Sequence, residues 1–191
     1  MSIQPNWCKF IWAGMKTVEV RKTRPTLETP FKAYIYCTGH DGWIIKSPKA
    51  GMQKMDSRVI GEFTCDKIDK LTHVGAMGSN EPPKLQIVTL DLLYKPADEL
   101  LQAACLTEAQ AEKYLKGGDG YGWHISDLKI YDKPKSILDF HRAVDKTKLW
   151  CEKCAIGGKK GTACAFCYGL NGLRIRRPPQ SWCYVEELSN E

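Results

Sequence analysis

Gly14-Met15-Lys16-Thr17-Val18-Glu19-Val20-Arg21 is the run on which the reading of this chain turns. Thr17, Glu19 and Arg21 alternate with Val18 and Val20, the period-two pattern of a strand with one polar face and one face in a core. Lys16 falls on the turn just before that strand, able to lean back over the polar face. A compact ammonium, a planar guanidinium fork and a carboxylate brought together in this way can hold an anionic or polar planar ligand. Lys22 and Arg24 extend the positive edge. The bland alternative is a salt-bridge network that only locks the fold. If the cluster is an open site, replacing Lys16 or Arg21 by Ala should abolish ligand binding and leave thermal unfolding nearly unchanged.

Outward from this run, residues 5–13 read as a short helix. Pro5 suits a first turn, Trp7, Phe10 and Ile11 lie on one side, and Gly14 ends it. Strands are expected over 17–23, where Arg24-Pro25 stops the run, and over 31–38, 43–45, 58–68, 121–131 and 182–188, and the apolar run 85–93 fits a strand or a buried helix, with strand preferred. Helices are expected over 97–105 and 107–116, the second capped by Thr107 and closed by Gly117-Gly118. Residues 134–140 read as a short helix or turn. With few helices and no regular strand–helix alternation, a doubly wound sheet is excluded. The pattern favours a mixed α+β, mainly β fold, a small closed barrel with flanking helices.

The chain has 191 residues, enough for one compact domain and a small appendage, and an apolar fraction of 43% supports a real core. Its apolar stretches are too short to span a bilayer, and its start lacks a basic region followed by a long apolar segment, so a cytoplasmic protein is expected. With 28 basic and 22 acidic residues the formal charge is +6. That charge is uneven. Residues 142–177 hold nine basic and two acidic side chains, a local balance of +7. Such a segment permits a nucleic-acid partner without establishing one.

Nine cysteines are present. Cys8, Cys37, Cys65, Cys105 and Cys183 stand in apolar surroundings as small core residues. Cys151, Cys154, Cys164 and Cys167 differ: two C-x-x-C pairs are separated by nine residues that include Gly157, Gly158 and Gly161. Four thiolates on a chain that can turn back sharply are the expected donor set of a structural tetrahedral zinc site, with no position left for a catalytic water; an iron centre or a pair of redox dithiols are the alternatives. Lys159 and Lys160 lie between the pairs, and Arg174, Arg176 and Arg177 follow, a surface suited to phosphates.

Trp123-His124-Ile125-Ser126 is the second place of interest. On a strand His124 and Ser126 share a face, where the imidazole can meet a phosphate or move a proton. Trp123, with Trp7, Tyr34, Tyr36, Trp43 and Tyr121, is an aromatic residue able to wall a ligand cavity. No Ser-His-Asp or Cys-His arrangement and no Walker-type phosphate loop is present.

The first run matches a G-x-K-x-x-E-x-R signature and resembles the ASCH superfamily, relatives of the PUA domain. The flanks, Ser2-Ile3-Gln4-Pro5-Asn6-Trp7 through Thr23-Arg24-Pro25 and Arg177-Pro178-Pro179-Gln180-Ser181-Trp182-Cys183-Tyr184-Val185, resemble the two ends of bacterial or phage members. The resemblance implies a PUA-like barrel over 1–140, a basic zinc-knuckle insertion over 141–177 and a final barrel strand over 178–191. It implies binding of RNA, single-stranded nucleic acid or a nucleoside in a cleft lined by Lys16, Glu19 and Arg21, to which the residue pattern adds Arg24, Trp123, His124 and Ser126 as candidate ligand contacts. Some ASCH proteins remove the acetyl group from acetylcytidine with a Lys, a Thr and a Glu. On that pattern Lys16 matches the Lys, Glu19 replaces the Thr, and Glu108 or Glu112 fits the Glu, so Lys16, Glu19 and Glu112 are the residues an amidohydrolase reading assigns to catalysis. Since some ASCH members cut RNA, a ribonuclease is open as well, as is a protein-interaction adaptor whose basic face meets an acidic partner.

Overall fold

The computed structural model describes residues 1–75, 78, 82–89, 92–143 and 174–188. In chain order its elements are β1 (Ser2–Ile3), α1 (Pro5–Trp12), β2 (Val18–Arg21), β3 (Phe31–Cys37), β4 (Ile44–Ser47), β5 (Gly51–Lys54), β6 (Arg58–Cys65), β7 (Ile68–Val74), β8 (Lys84–Val88), β9 (Tyr94–Pro96), α2 (Asp98–Ala103), α3 (Glu108–Leu115), β10 (Gly120–His124) and β11 (Ser126–Lys135). A single 3-10 turn, Ile137–Asp139, follows.

The strands form a four-stranded sheet of order β1-β3-β6-β11, a five-stranded sheet of order β2-β10-β7-β8-β9 and the β4-β5 hairpin. The fold is mixed and mainly β, as expected. Among the described residues none of these sheets closes into a barrel, because each order has two distinct ends. By contact the chain divides into Met1–Ile3, Tyr36–Ile60 and Tyr131–Glu191 as one unit, and Gln4–Ile35 and Gly61–Ile130 as the other.

The second unit carries the five-stranded sheet and the three α-helices found among the described residues. In it β10 lies antiparallel between β2 and β7, and β8 and β9 continue the sheet. Val18 and Val20 of β2 and Leu71 and Leu85 of β7 and β8 pack with Leu100 and Leu101 of α2 and Ala111 and Leu115 of α3. This is the apolar side of the alternating pattern. Gly122 sits where α2 presses on the sheet: a Cβ there would lie 2.8 Å from Leu100 Cδ1 and 3.1 Å from Val18 Cγ1. α3 has the capping box its sequence promises, Thr107 Oγ1 accepting from Gln110 N and the Gln110 side chain accepting from Thr107 N.

Three expectations change. α1 buries Cys8 and Ile11, while Phe10 is exposed, because the helix presents the Cys8–Ile11 stripe inward. The segment after Ile68 is a full strand, β7, and the region 46–57 holds β5. Among the described residues the expected last strand over 182–188 reduces to a single bridge, Arg142 with Val185, flanked by hydrogen bonds from Ala143 N to Tyr184 O and from Glu186 N to His141 O.

The first unit pairs β1 parallel to the end of β3, Ser2 with Tyr36 and Ile3 with Cys37. Ile175 is buried between exposed Arg174 and Arg176, and its amide donates to Phe140 O.

Candidate functional site

Gly14, with φ +71°, ends α1 in the left-handed conformation that favours glycine. The chain then turns back, with Met15 N and Lys16 N both donating to Phe10 O, and Thr17 N donates to Ala103 O at the end of α2. Lys16 is thereby set at the mouth of β2, as the sequence reading expects. Its ammonium donates to Ala104 O at 2.5 Å, on the C-cap of α2, where a cation satisfies an orphan carbonyl and complements the helix dipole. It also lies 5.1 Å from the centre of the Trp7 ring.

Glu19 links the two cations. Its Oε2 is 3.3 Å from Lys16 Nζ and its Oε1 is 3.0 Å from an Arg21 terminal nitrogen. All three side chains are at most 9% exposed. The trio therefore holds two formal positive charges against one negative in a nearly dry setting. Desolvation by burial lowers the Lys16 pKa, and the opposing attraction of Glu19 does not cancel it.

The strand register brings the second motif to this cluster. On the β2–β10 ladder Trp123 faces Glu19 and Tyr121 faces Arg21. Directly opposed residues put their side chains on one face. Trp123 is buried, with Phe31 edge-on at 5.5 Å. Val18, facing His124, belongs to the opposite face.

His124 and Ser126 do not act on one group. His124 Nε2 meets Asp69 Oδ2 at 2.7 Å, while Ser126 Oγ donates to Thr64 O at 2.9 Å. Burial pushes the Asp69 carboxyl up, but hydrogen bonds from His124 and from Lys67, at 2.9 Å, outweigh it and hold the carboxyl below its usual range. Glu112, on α3, binds His73 Nε2 through both oxygens at 2.8 Å and makes no contact with Lys16 or Glu19. Arg24 is exposed. Asp69 and His73 are the polar partners that sequence reading missed. Their signal was the alternation Ile68, Lys70, Thr72, Val74 against Asp69, Leu71, His73.

Arg174, Arg176 and Arg177 are exposed in the first unit, and Arg174 Nε donates to Leu138 O. Cys151, Cys154, Cys164, Cys167, Lys159 and Lys160 lie outside the described residues. Among the described residues no group of three or more His, Cys, Asp or Glu side chains converges on a metal position. No described helix is long and apolar enough to cross a membrane.

No family model and no curated protein matches this chain. It is similar to the crystal structure of ASCH from Zymomonas mobilis, 19% identical, with a TM-score of 0.45 over 71% of each chain. A structure of a point variant of that protein is 18% identical, with a TM-score of 0.43 over 71% of this chain and 73% of the other. The structure neighbours of this chain are thus ASCH domain proteins from Zymomonas mobilis.

Proposed function

We propose that this chain is a PUA-like ASCH protein that binds RNA or another single-stranded nucleic acid, with the Lys16–Glu19–Arg21 cluster as the cationic floor of its ligand site. One observation carries the reading: a single carboxylate bridges two nearly buried cations. Two cations gathered beside one carboxylate are a place where an anionic group such as a phosphate is attracted. Half-buried Trp7 and Tyr121 flank this floor and offer rings to a base.

The same contacts favour binding over hydrolysis. Both oxygens of Glu19 are held by cations, and both oxygens of Glu112 are held by His73, so neither is poised to activate water. The remaining parts of the reading are a PUA-like fold, a cytoplasmic setting and a zinc knuckle. In the knuckle Cys151, Cys154, Cys164 and Cys167 hold a structural zinc, and Lys159, Lys160, Arg174, Arg176 and Arg177 add phosphate contacts beside it. The four thiols are the donor set zinc takes in closed structural sites, and zinc there would staple a segment too small for its own core.

Incubation with acetylcytidine and with short single-stranded RNA separates the readings. The expected outcome is RNA binding with no turnover of either. Release of acetate would place the protein among the hydrolases instead.

A further inference from the structure

The five-stranded sheet has one face under α2 and α3 and another whose side chains follow from the register. Across that second face Arg21 faces Tyr121, Tyr121 faces Lys70, Lys70 faces Val88, and Val88 faces Tyr94. One row thus crosses all five strands as Arg–Tyr–Lys–Val–Tyr. A parallel row carries Thr72, Gln86 and Pro96.

The row is covered at one end and open at the other. Arg21 is buried in the ion cluster, Tyr121 is half-buried, the Lys70 side chain is 46% exposed and Tyr94 is 54% exposed. Lys70 is held in place by Asp119, 2.9 Å away, whose carboxylate also accepts from Thr72 Oγ1 at 2.7 Å. An ammonium has three donors, so this ion pair leaves two for another oxygen. The register sets Lys70 on the strand between those of Tyr121 and Val88, with Tyr94 one strand further on.

We propose that this open face is a stacking platform for a single-stranded nucleic acid, with bases on Tyr121 and Tyr94 and the intervening phosphate on Lys70. The two tyrosines stand three strands apart, roughly 14 Å at the usual strand spacing. That span suits bases separated along an extended strand better than neighbours in a duplex. Aromatic rings interleaved with a cation on an open sheet match the alternation of base and phosphate in a single strand. The inference rests on the nucleic-acid reading above, and it adds a path that leaves the Arg21 end of the cluster and runs to the β9 edge.

The test is fluorescence anisotropy of a labelled short oligoadenylate with the full chain and with Tyr94→Ala, Tyr121→Ala, Tyr94→Phe and Lys70→Ala. Tyr94 is exposed, so its substitution leaves the core intact. Each Tyr→Ala change should weaken binding about tenfold. Tyr94→Phe, which keeps the ring, should restore it. Lys70→Ala should make the slope of log affinity against log salt shallower by about 0.7, one single-strand phosphate contact. If oligoadenylate binds but both Tyr→Ala variants match the parent, the platform is overturned and the nucleic-acid reading stands. If the parent binds no single strand even at low salt, both fall together.

Discussion

Trp123 stands directly across the β2–β10 ladder from Glu19, so residues more than a hundred positions apart in sequence meet on one face of one sheet. The cluster that sequence alone places at an open ligand surface is walled on this side by a buried ring. The trio is therefore part of the fold as well as a source of charge, and the first prediction follows from that.

Removing the carboxylate takes away the counter-charge that Lys16 and Arg21 share. Glu19→Gln should destabilise the protein by about 3–5 kcal/mol, the range for breaking a buried ion pair from one side. Urea denaturation measures this. The same burial revises the sequence-based expectation that Lys16→Ala and Arg21→Ala would leave unfolding unchanged: both should lower the midpoint. A midpoint for Glu19→Gln equal to the parent would mean the trio is solvated in solution.

Lys16 also gives the stability a pH dependence. Burial lowers its folded-state pKa below the ordinary value of 10.5. Between the lowered value and 10.5 the unfolded chain binds more protons than the folded one, so this group makes stability rise with pH across that window. Lys16→Met should lack that rise. Denaturation midpoints from neutral pH to about pH 10.5, compared between parent and variant, should diverge as pH increases. Parallel curves would show that Lys16 titrates normally.

Gly122 tests the packing that positions the cluster. Gly122→Ala forces a methyl against Leu100 and Val18 at 2.8 and 3.1 Å. Overpacking of this kind costs about 1–3 kcal/mol. The loss should appear in thermal unfolding, and Leu100→Ala in the same chain should recover part of it by making room.

Freshly purified reduced protein should contain one zinc per chain, bound by Cys151, Cys154, Cys164 and Cys167. Metal analysis reads the stoichiometry. A strong chelator should then unfold the segment around these cysteines and leave the sheet signals of the rest intact. Protein free of zinc would contradict the assignment.

Local signals made much of this legible. The Val18/Val20 alternation, the Thr107 cap and the Gly14 stop each operate within a few residues, and each has its counterpart in the structure. The strand β7 was missed because its apolar side carries His73 and Asp69, which blur a period-two pattern. Their partners, Glu112 and His124, come from distant elements. The pairing of Glu112 with His73, away from Lys16, is a tertiary fact that no spacing encodes. The same holds for the Arg21–Tyr121–Lys70–Val88–Tyr94 row, which exists only once the register of five strands is known.

Titration with single-stranded RNA over a range of salt concentrations decides whether this chain binds single-stranded nucleic acid through its cationic cluster. Log affinity should fall linearly with log salt at a slope of about −2 or steeper, each neutralised phosphate of a single strand contributing about −0.7, and Lys16→Met should make the slope shallower. A flat salt dependence, or no complex at low salt, would contradict it.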